Sequence, residues 1–562
     1  MVSSPDVAPD RVSWTRDLML LALLFAALFG FRLGSYPLGN PDEGRYAEIP
    51  REMLATGDWV TPRLDGVNYF EKPPLVYWVT AASERVFGLN EWAVRAVPAL
   101  FALAGVLLTY AAGRALYGRA AGVAAGVALG TSLLFFALGR IILLDMAVSV
   151  LMSAALFCFV LAMRAPPGGR RRWLMYGVYA SMALATLTKG LMGFLVTGAV
   201  MFLWLLVFNQ WKRLRPLHLP TGALVFLAIA VPWHVLAHLH NPTWAQRYFV
   251  YEHWERFMSP VASRPGPVWY FVPIIFFGLF PWTGFVWSGA REALRGGWAA
   301  RKANVDAWFL VTWAAFIFLF FTKSHSKLVP YILPIFPALA VLAGVGVTAA
   351  WRAGAGRLSA GVRTFSFVAG LLAVALVVVV LKPGIIRDPA QAQVLRPFAI
   401  TMAAVLMLGG VLAPWRAKTR GGRSAVATIA VTMVFFLGVL TYAAPHIQRP
   451  GTKELALQVR AEAKPGDRVL HYHEFFHDFT FYARQTVGLV AFKGELELEE
   501  DPAARDSGRF IDDAEFHRAW AGPARLWVVA RKKDLGPLLA EPAFRYHLLG
   551  ETRDHYLFSN QP

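Results

Sequence analysis

Apolar runs of about 18 to 20 residues recur along the first 445 residues of this chain, and they constrain its fold more than any other feature. A backbone that crosses a bilayer must satisfy its own hydrogen bonds, so runs of this length can fold only as spanning helices. The short alternating strands of an outer-membrane barrel are not visible. Composition agrees: 56% of the 562 residues are hydrophobic and 16% are charged, against roughly 45–50% and 25% in soluble domains. No single soluble globule has an interior that could take up so much apolar surface, which excludes a soluble enzyme and a disordered protein.

Thirteen spans are predicted, at roughly 14–34, 93–113, 120–139, 141–163, 173–188, 191–209, 221–240, 268–289, 307–322, 328–350, 364–381, 397–415 and 424–444. Every second loop is basic and nearly free of acid, as at Arg170, Arg171 and Arg172 or at Arg416, Lys418, Arg420 and Arg423. That bias assigns these loops and the N-terminus to the cytoplasm. An odd number of spans then puts the tail outside. The first apolar run, Leu18–Phe31, has no small-residue cleavage site after it and reads as a retained span. The net charge is +19, yet residues 446–562 carry 16 Lys/Arg and 18 Asp/Glu. The positive excess therefore lies in the membrane part, where loop topology and anionic lipid head groups account for it and nucleic acid does not. Cys158 is the one cysteine and sits in an apolar run, so no disulfide braces an exported portion.

The predicted fold is a polytopic α-helical membrane protein, residues 1–445, followed by a periplasmic α/β domain, 446–562. In the tail, strands are expected at Arg468–Tyr472, Val487–Phe492 and Leu526–Ala530, with a closing hairpin of Tyr546–Leu549 and Tyr556–Phe558. Helices are expected at Glu474–Arg484 and near Asp534–Leu539. The first outer loop, 35–92, is long and mixed in sign, and its stretch PPLVYWVTAASERVFG is too short to span and reads as an interfacial helix. No inverted repeat in hydropathy is found, which weakens a transporter or flippase reading.

Charges that would carry chemistry collect on the outer side. Asp42, Glu43 and Arg45 stand just past the first span, Ala47–Leu54 has helical spacing that Gly57 can end, and Glu71 and Lys72 precede the rigid Pro73–Pro74. The alternative is a solvated loop with surface ion pairs. Asp145 lies five residues past Arg140, roughly 7 Å into the outer leaflet, where a carboxylate costs on the order of 2.5–3.5 kcal/mol. Either it pairs structurally with Arg140 or Lys189, or it lines a site open to the outer face. KSHSKLVPYILP puts Lys323, His325, Lys327 and Tyr331 at the mouth of the tenth span. Its lysines either snorkel to the interface or form a phosphate clamp with Arg45, Lys72, Lys189 and Arg256. His253, flanked by Glu252, Glu255 and Arg256, and Glu71 are a weak pair of candidate metal ligands. His471, His473 and His477 read as surface or strand-end histidines, with metal ligation as the alternative. With no GxGxxG or Walker motif, the energy for any synthesis outside must arrive on a lipid.

DEGRYAEIPREMLATGDWVTPRLDGVNYFEKPPLVYW, with KSHSKLVPYILPIFPALA far downstream, closely resembles the bacterial 4-amino-4-deoxy-L-arabinose transferases that modify lipid A. These belong to the C superfamily of membrane glycosyltransferases, with the protein O-mannosyltransferases and oligosaccharyltransferases. The resemblance implies an undecaprenyl phosphate-linked sugar donor, a lipid A phosphate acceptor and resistance to polymyxin and cationic peptides. An inner-membrane location and a monomer are expected, and the place of the positive charge argues against nucleic acid. Asp42 matches the family's acidic first-loop residue, and Glu71 with Lys72 its EKPP element, linked to a metal and to the lipid phosphate. A divalent ion (zinc, magnesium or manganese) held by Glu71 and His253 is thus expected. The reaction is expected to invert the anomeric carbon in one displacement through an oxocarbenium-like state. Asp42, with Glu43 and Asp145, is assigned to catalysis, and Arg45, Lys72, Lys189, Arg256, Lys323, Lys327 and Tyr331 to substrate binding. The alternatives are transfer to a protein or another glycolipid, and a lipid flippase.

Overall fold

The computed structural model describes residues 11–562 except 250–263, 353, 383, 387, 449–450, 493, 495, 497, 499–500 and 543. His253 and Arg256 therefore lie outside the described residues. The chain divides into two compact units: Met1–Leu33, Pro98–Val231 and Arg256–His446 in one, and Gly34–Val97, Pro232–Glu255 and Ile447–Pro562 in the other.

The first unit is helical. Over the described residues, 10 helices are long and apolar enough to cross a membrane, or 11 if the bent pair Phe271–Gly278 and Thr283–Ala293 is one span. The predicted segments fall on helices, with three departures from simple spans. The 268–289 segment is broken by a 95° bend, and Pro281, which has no N–H to continue a helix, lies in the break. The 120–139 segment splits at Ser132 into Arg119–Thr131 and Leu133–Leu138. The 173–188 segment is the longer Gly169–Lys189, with Arg170, Arg171 and Arg172 at one end and Lys189 at the other, and it is less apolar than the ten.

Small residues set the closest helix approach. A Cβ on Gly289 would lie 1.7 Å from the Leu342 carbonyl oxygen, and one on Gly346 would lie 2.1 Å from that of Phe285. Helices Thr283–Ala293 and Phe336–Arg352 thus touch backbone to backbone, the packing that small residues permit in a membrane. Aromatic side chains fill the rest. Trp313, fully buried, donates from Nε1 to the Pro334 carbonyl at 2.9 Å.

The second unit holds a six-stranded sheet in the order β5-β4-β3-β6-β8-β7. β3 (Arg468–Tyr472), β4 (Gly488–Val490), β5 (Phe510–Ile511) and β6 (Leu526–Arg531) are parallel, and β7 (His547–Glu551) and β8 (His555–Ser559) close it antiparallel. This is the expected α/β arrangement, with helix His477–Ala483 between β3 and β4 and the expected hairpin at the end. Leu470, Val490, Val528, Phe516 and Phe558 make its core. The same unit contains helices Asp42–Thr56 and Leu75–Phe87, joined through a short hairpin of β1 (Arg63–Leu64) and β2 (Val67–Asn68).

Candidate active site

Helix Asp42–Thr56 begins with two acidic residues, which the partial positive charge of a helix N-terminus favours. It ends at Gly57, whose φ of 72° is open to glycine and whose N–H reaches the Met53 carbonyl. Residues Glu43 to Met53 are all buried, whereas the Asp42 side chain is 55% exposed. Its carboxylate lies 3.5 Å from Arg45 Nη1. Glu43 is committed elsewhere. Arg95, itself 0% exposed, donates from Nε to Oε1 at 2.8 Å and from Nη2 to Oε2 at 2.7 Å. The same guanidinium donates to the carbonyls of Tyr36 and Pro37, both at 2.8 Å. Of the two acids, Asp42 is the one presented for chemistry.

Glu71 and Lys72 are partly buried, with Lys72 Nζ 3.9 Å from the Glu71 carboxylate and donating to the Glu71 carbonyl at 2.8 Å. Burial pushes the phenols of Tyr69 and Tyr77 up, and the charges of Glu71 and Arg45 act on both, as does Tyr46. Asp42, Arg45, Glu71 and three tyrosines are therefore one neighbourhood. Tyr46 stacks on Tyr77 with centroids 6.2 Å apart. Sequence reading passed over these tyrosines, although each stands within the DEGR or EKPP stretch.

The opposite face of the same helix is anchored by charge. Glu48 accepts from Arg51 twice at 2.6 Å, and Glu52 and Glu84 are also buried. Burial pushes all three carboxyls up, and neither Glu84 oxygen has a hydrogen-bond partner among the described residues. A protonated Glu84 is what such a setting permits.

In the first unit, Asp145 occupies the first turn of helix Leu144–Arg164, and Lys189 is the last residue of helix Gly169–Lys189. Lys189 Nζ donates to Asp145 Oδ1 at 2.5 Å and stands 4.8 Å from the Tyr331 ring centroid. Each charge suits its own helix dipole. Arg140 is not the partner of Asp145. It donates to the carbonyls of Phe29 and Phe31 at 2.5 and 2.7 Å, closing the end of the first helix. Lys327 is buried and donates to the Ser324 carbonyl at 3.0 Å, while Lys323 and His325 are exposed. The structure thus brings Asp145, Lys189 and Tyr331 together, and separately Asp42 with Arg45 and Glu71 with Lys72.

The expected metal has one proposed ligand within the described residues, Glu71, and a lysine ammonium stands beside it. No group of three His, Cys, Asp or Glu side chains that could hold a metal occurs among the described residues.

A family model described as dolichyl-phosphate-mannose-protein mannosyltransferase matches residues 14–245. An undecaprenyl phosphate-α-4-amino-4-deoxy-L-arabinose arabinosyl transferase of Edwardsiella ictaluri is 35% identical over 325 residues, which is 57% of this chain. The match spans 58% of that relative's length. The crystal structure of ArnT from Cupriavidus metallidurans bound to undecaprenyl phosphate is similar with a TM-score of 0.84 at 30% identity, over 98% of both chains. An oligosaccharyltransferase of Archaeoglobus fulgidus shares the fold, with a TM-score of 0.53 at 13% identity, over 93% of this chain and 70% of that one.

Proposed function

The chain belongs to the undecaprenyl phosphate-aminoarabinose arabinosyl transferase family, and from that premise we propose that it moves 4-amino-4-deoxy-L-arabinose from undecaprenyl phosphate to a phosphate of lipid A. The reaction takes place at the periplasmic face of the inner membrane. The product is less negatively charged and binds polymyxin and cationic peptides less tightly. The observation that carries this reading is Asp42, a half-exposed carboxylate beside Arg45 on a helix whose following residues are buried.

In the displacement, the bond from the anomeric carbon to the donor phosphate breaks, and its electron pair leaves with undecaprenyl phosphate. A lipid A phosphate oxygen forms the new bond from the opposite side. The leaving phosphate needs no strong acid, and the attacking phosphate is already ionised, so no strong base is required. Asp42 then stabilises the positive charge that develops on the sugar ring. Arg45 and Lys72 hold the donor phosphate and stabilise the charge it gains. Lys189, Lys323, Lys327 and Tyr331 are assigned to substrate contact, and Asp145, held by Lys189, to the sugar's ammonium. Glu43 supports Asp42 through its pair with Arg95. Arg256 is assigned to the phosphate. A divalent ion on Glu71 and His253 is part of the proposal, and loss of transfer on chelation, restored by adding the ion back, tests it.

The test is the purified protein in proteoliposomes with donor lipid and lipid A. Mass spectrometry is expected to show lipid A heavier by one aminopentose. Unmodified lipid A, or full transfer by both Asp42→Asn and Asp145→Asn, overturns the reading. The match of residues 14–245 favours one other acceptor class, protein, which a glycosylated polypeptide in place of modified lipid A would reveal.

A further inference from the structure

Asp42 is exposed, but the backbone on both sides of it is fastened within the second unit. Glu43 is clamped by Arg95, as described above. On the other side, Asn40 makes a two-point contact with Asp478, the second residue of helix His477–Ala483. Asn40 Nδ2 donates to Asp478 Oδ1, and the backbone N–H of Asp478 donates to Asn40 Oδ1 at 2.9 Å. Asp478 is 0% exposed, and its carboxylate also accepts from the Thr452 N–H at 2.7 Å and the Thr452 hydroxyl at 2.8 Å. Three stretches far apart in sequence converge on this carboxylate: the lead into the Asp42 helix, residues 451–452, and helix His477–Ala483.

The helices meet without a gap. A Cβ on Gly44 would lie 2.4 Å from the Asp478 nitrogen and 2.6 Å from the His477 carbonyl carbon. A Cβ on Gly451 would lie 2.5 Å from Asp478 Oδ2. A second tie lies close by: the Tyr482 hydroxyl donates to Glu91 at 2.9 Å and accepts from the Leu38 N–H at 2.8 Å. A buried carboxylate is costly to desolvate, and simple packing does not call for one. One whose acceptor sites are met by donors from distant segments fixes geometry.

We propose that Asp478 is a positioning residue for the transfer reaction. Through Asn40 it holds the helix turn that carries Asp42, which makes helix His477–Ala483 of the α/β domain part of the scaffold of the active site. This rests on the transferase reading and adds to it what fixes Asp42.

The test uses the full chain in proteoliposomes with donor lipid and lipid A, and undecaprenyl phosphate alone as the binding probe. Asn40→Ala, at an exposed position, is expected to lower kcat on the order of 10²-fold, the cost of a displacement of about 1 Å, with the Kd for undecaprenyl phosphate within about threefold of the parent. Asn40→Asp alone sets two carboxylates face to face and is expected to lose as much. Combining Asn40→Asp with Asp478→Asn restores a donor opposite an acceptor and is expected to recover most of the kcat. Unchanged kcat in Asn40→Ala, parallel loss of donor binding, or no recovery in a folded exchanged pair overturns the proposal. Should the exchanged pair not fold, Asn40→Ala decides alone. If the parent protein leaves lipid A unmodified, the transferase reading fails instead, and the two failures are distinct.

Discussion

Asp42 and Glu43 are neighbours of the same chemical type with different fates, and the difference lies in their partners. Asp42→Asn is expected to lower kcat by roughly 10²–10³, the usual cost of losing one transition-state stabiliser, with donor affinity little changed. Lys72→Ala is expected to raise the Kd for undecaprenyl phosphate instead, and equilibrium titration separates the two. Asp65 allows a pH prediction. It is fully buried, and burial pushes its carboxyl up to about 8 against the pull of Arg509 and a hydrogen bond from the Val487 N–H. Its folded value lies above the unfolded one, so its contribution to stability is full below about pH 4 and is lost as pH rises through about 8. Asp65→Asn is therefore expected to flatten the fall in thermal unfolding midpoint from about pH 5 to pH 8, and equal slopes in both proteins would refute it. At this scale the sequence exposed the charged candidates because charge beside apolar spans is conspicuous. It could not separate Asp42 from Glu43, because Arg95 stands 52 residues from Glu43.

Helices were the most legible elements, since long apolar runs fix their existence, whereas their breaks depend on tertiary packing. The bend at 278–283 carries a mark in Pro281, whereas the interruption at Ser132 is marked only by the short polar stretch Gly130–Thr131–Ser132 inside an apolar run. β5 has two residues, too few to show a period. Helix Asp513–Trp520 was overlooked despite a signal, for Asp512 and Glu515 form a complete capping box. Gly289, past the bend, and Gly346 are in backbone contact, and that contact is where an element-level change should act. Gly289→Leu and Gly346→Leu are each expected to abolish the folded protein, because the opposing atoms are backbone carbonyls that cannot move aside as a side chain could. Gly370→Leu, where a Cβ meets nothing within 4 Å, is the control. Detergent size-exclusion profiles after expression check both, and a folded Gly289→Leu protein would show that the two helices separate without cost.

For the whole molecule, sidedness follows from the parity of crossings, and the bent pair decides it. Among the described residues the qualifying helices number 11 when Phe271–Gly278 and Thr283–Ala293 form one crossing. Adding the split Arg119–Leu138 segment and Gly169–Lys189 preserves an odd count, which sends the α/β tail to the side opposite the N-terminus. If the bent pair enters and leaves on one face, the count becomes even, the tail returns to the side of the N-terminus, and the basic loops after the bend move to the opposite side. The charge bias favours the odd count, because the loops after alternate spans stay basic on both sides of the bend: Lys212 and Arg215 before it, Arg352, Arg357, Arg416 and Arg420 after it. With Cys158→Ser as background, Glu541→Cys in the tail is expected to react with a membrane-impermeant maleimide in intact spheroplasts. Thr419→Cys, at the basic end of helix Pro389–Arg420, is expected to react only after permeabilisation. The reverse pattern, with Thr419→Cys labelled before permeabilisation and Glu541→Cys only after it, would make the bend re-entrant. It would also place Asp478 and the sheet in the cytoplasm, away from any lipid A phosphate on the outer leaflet.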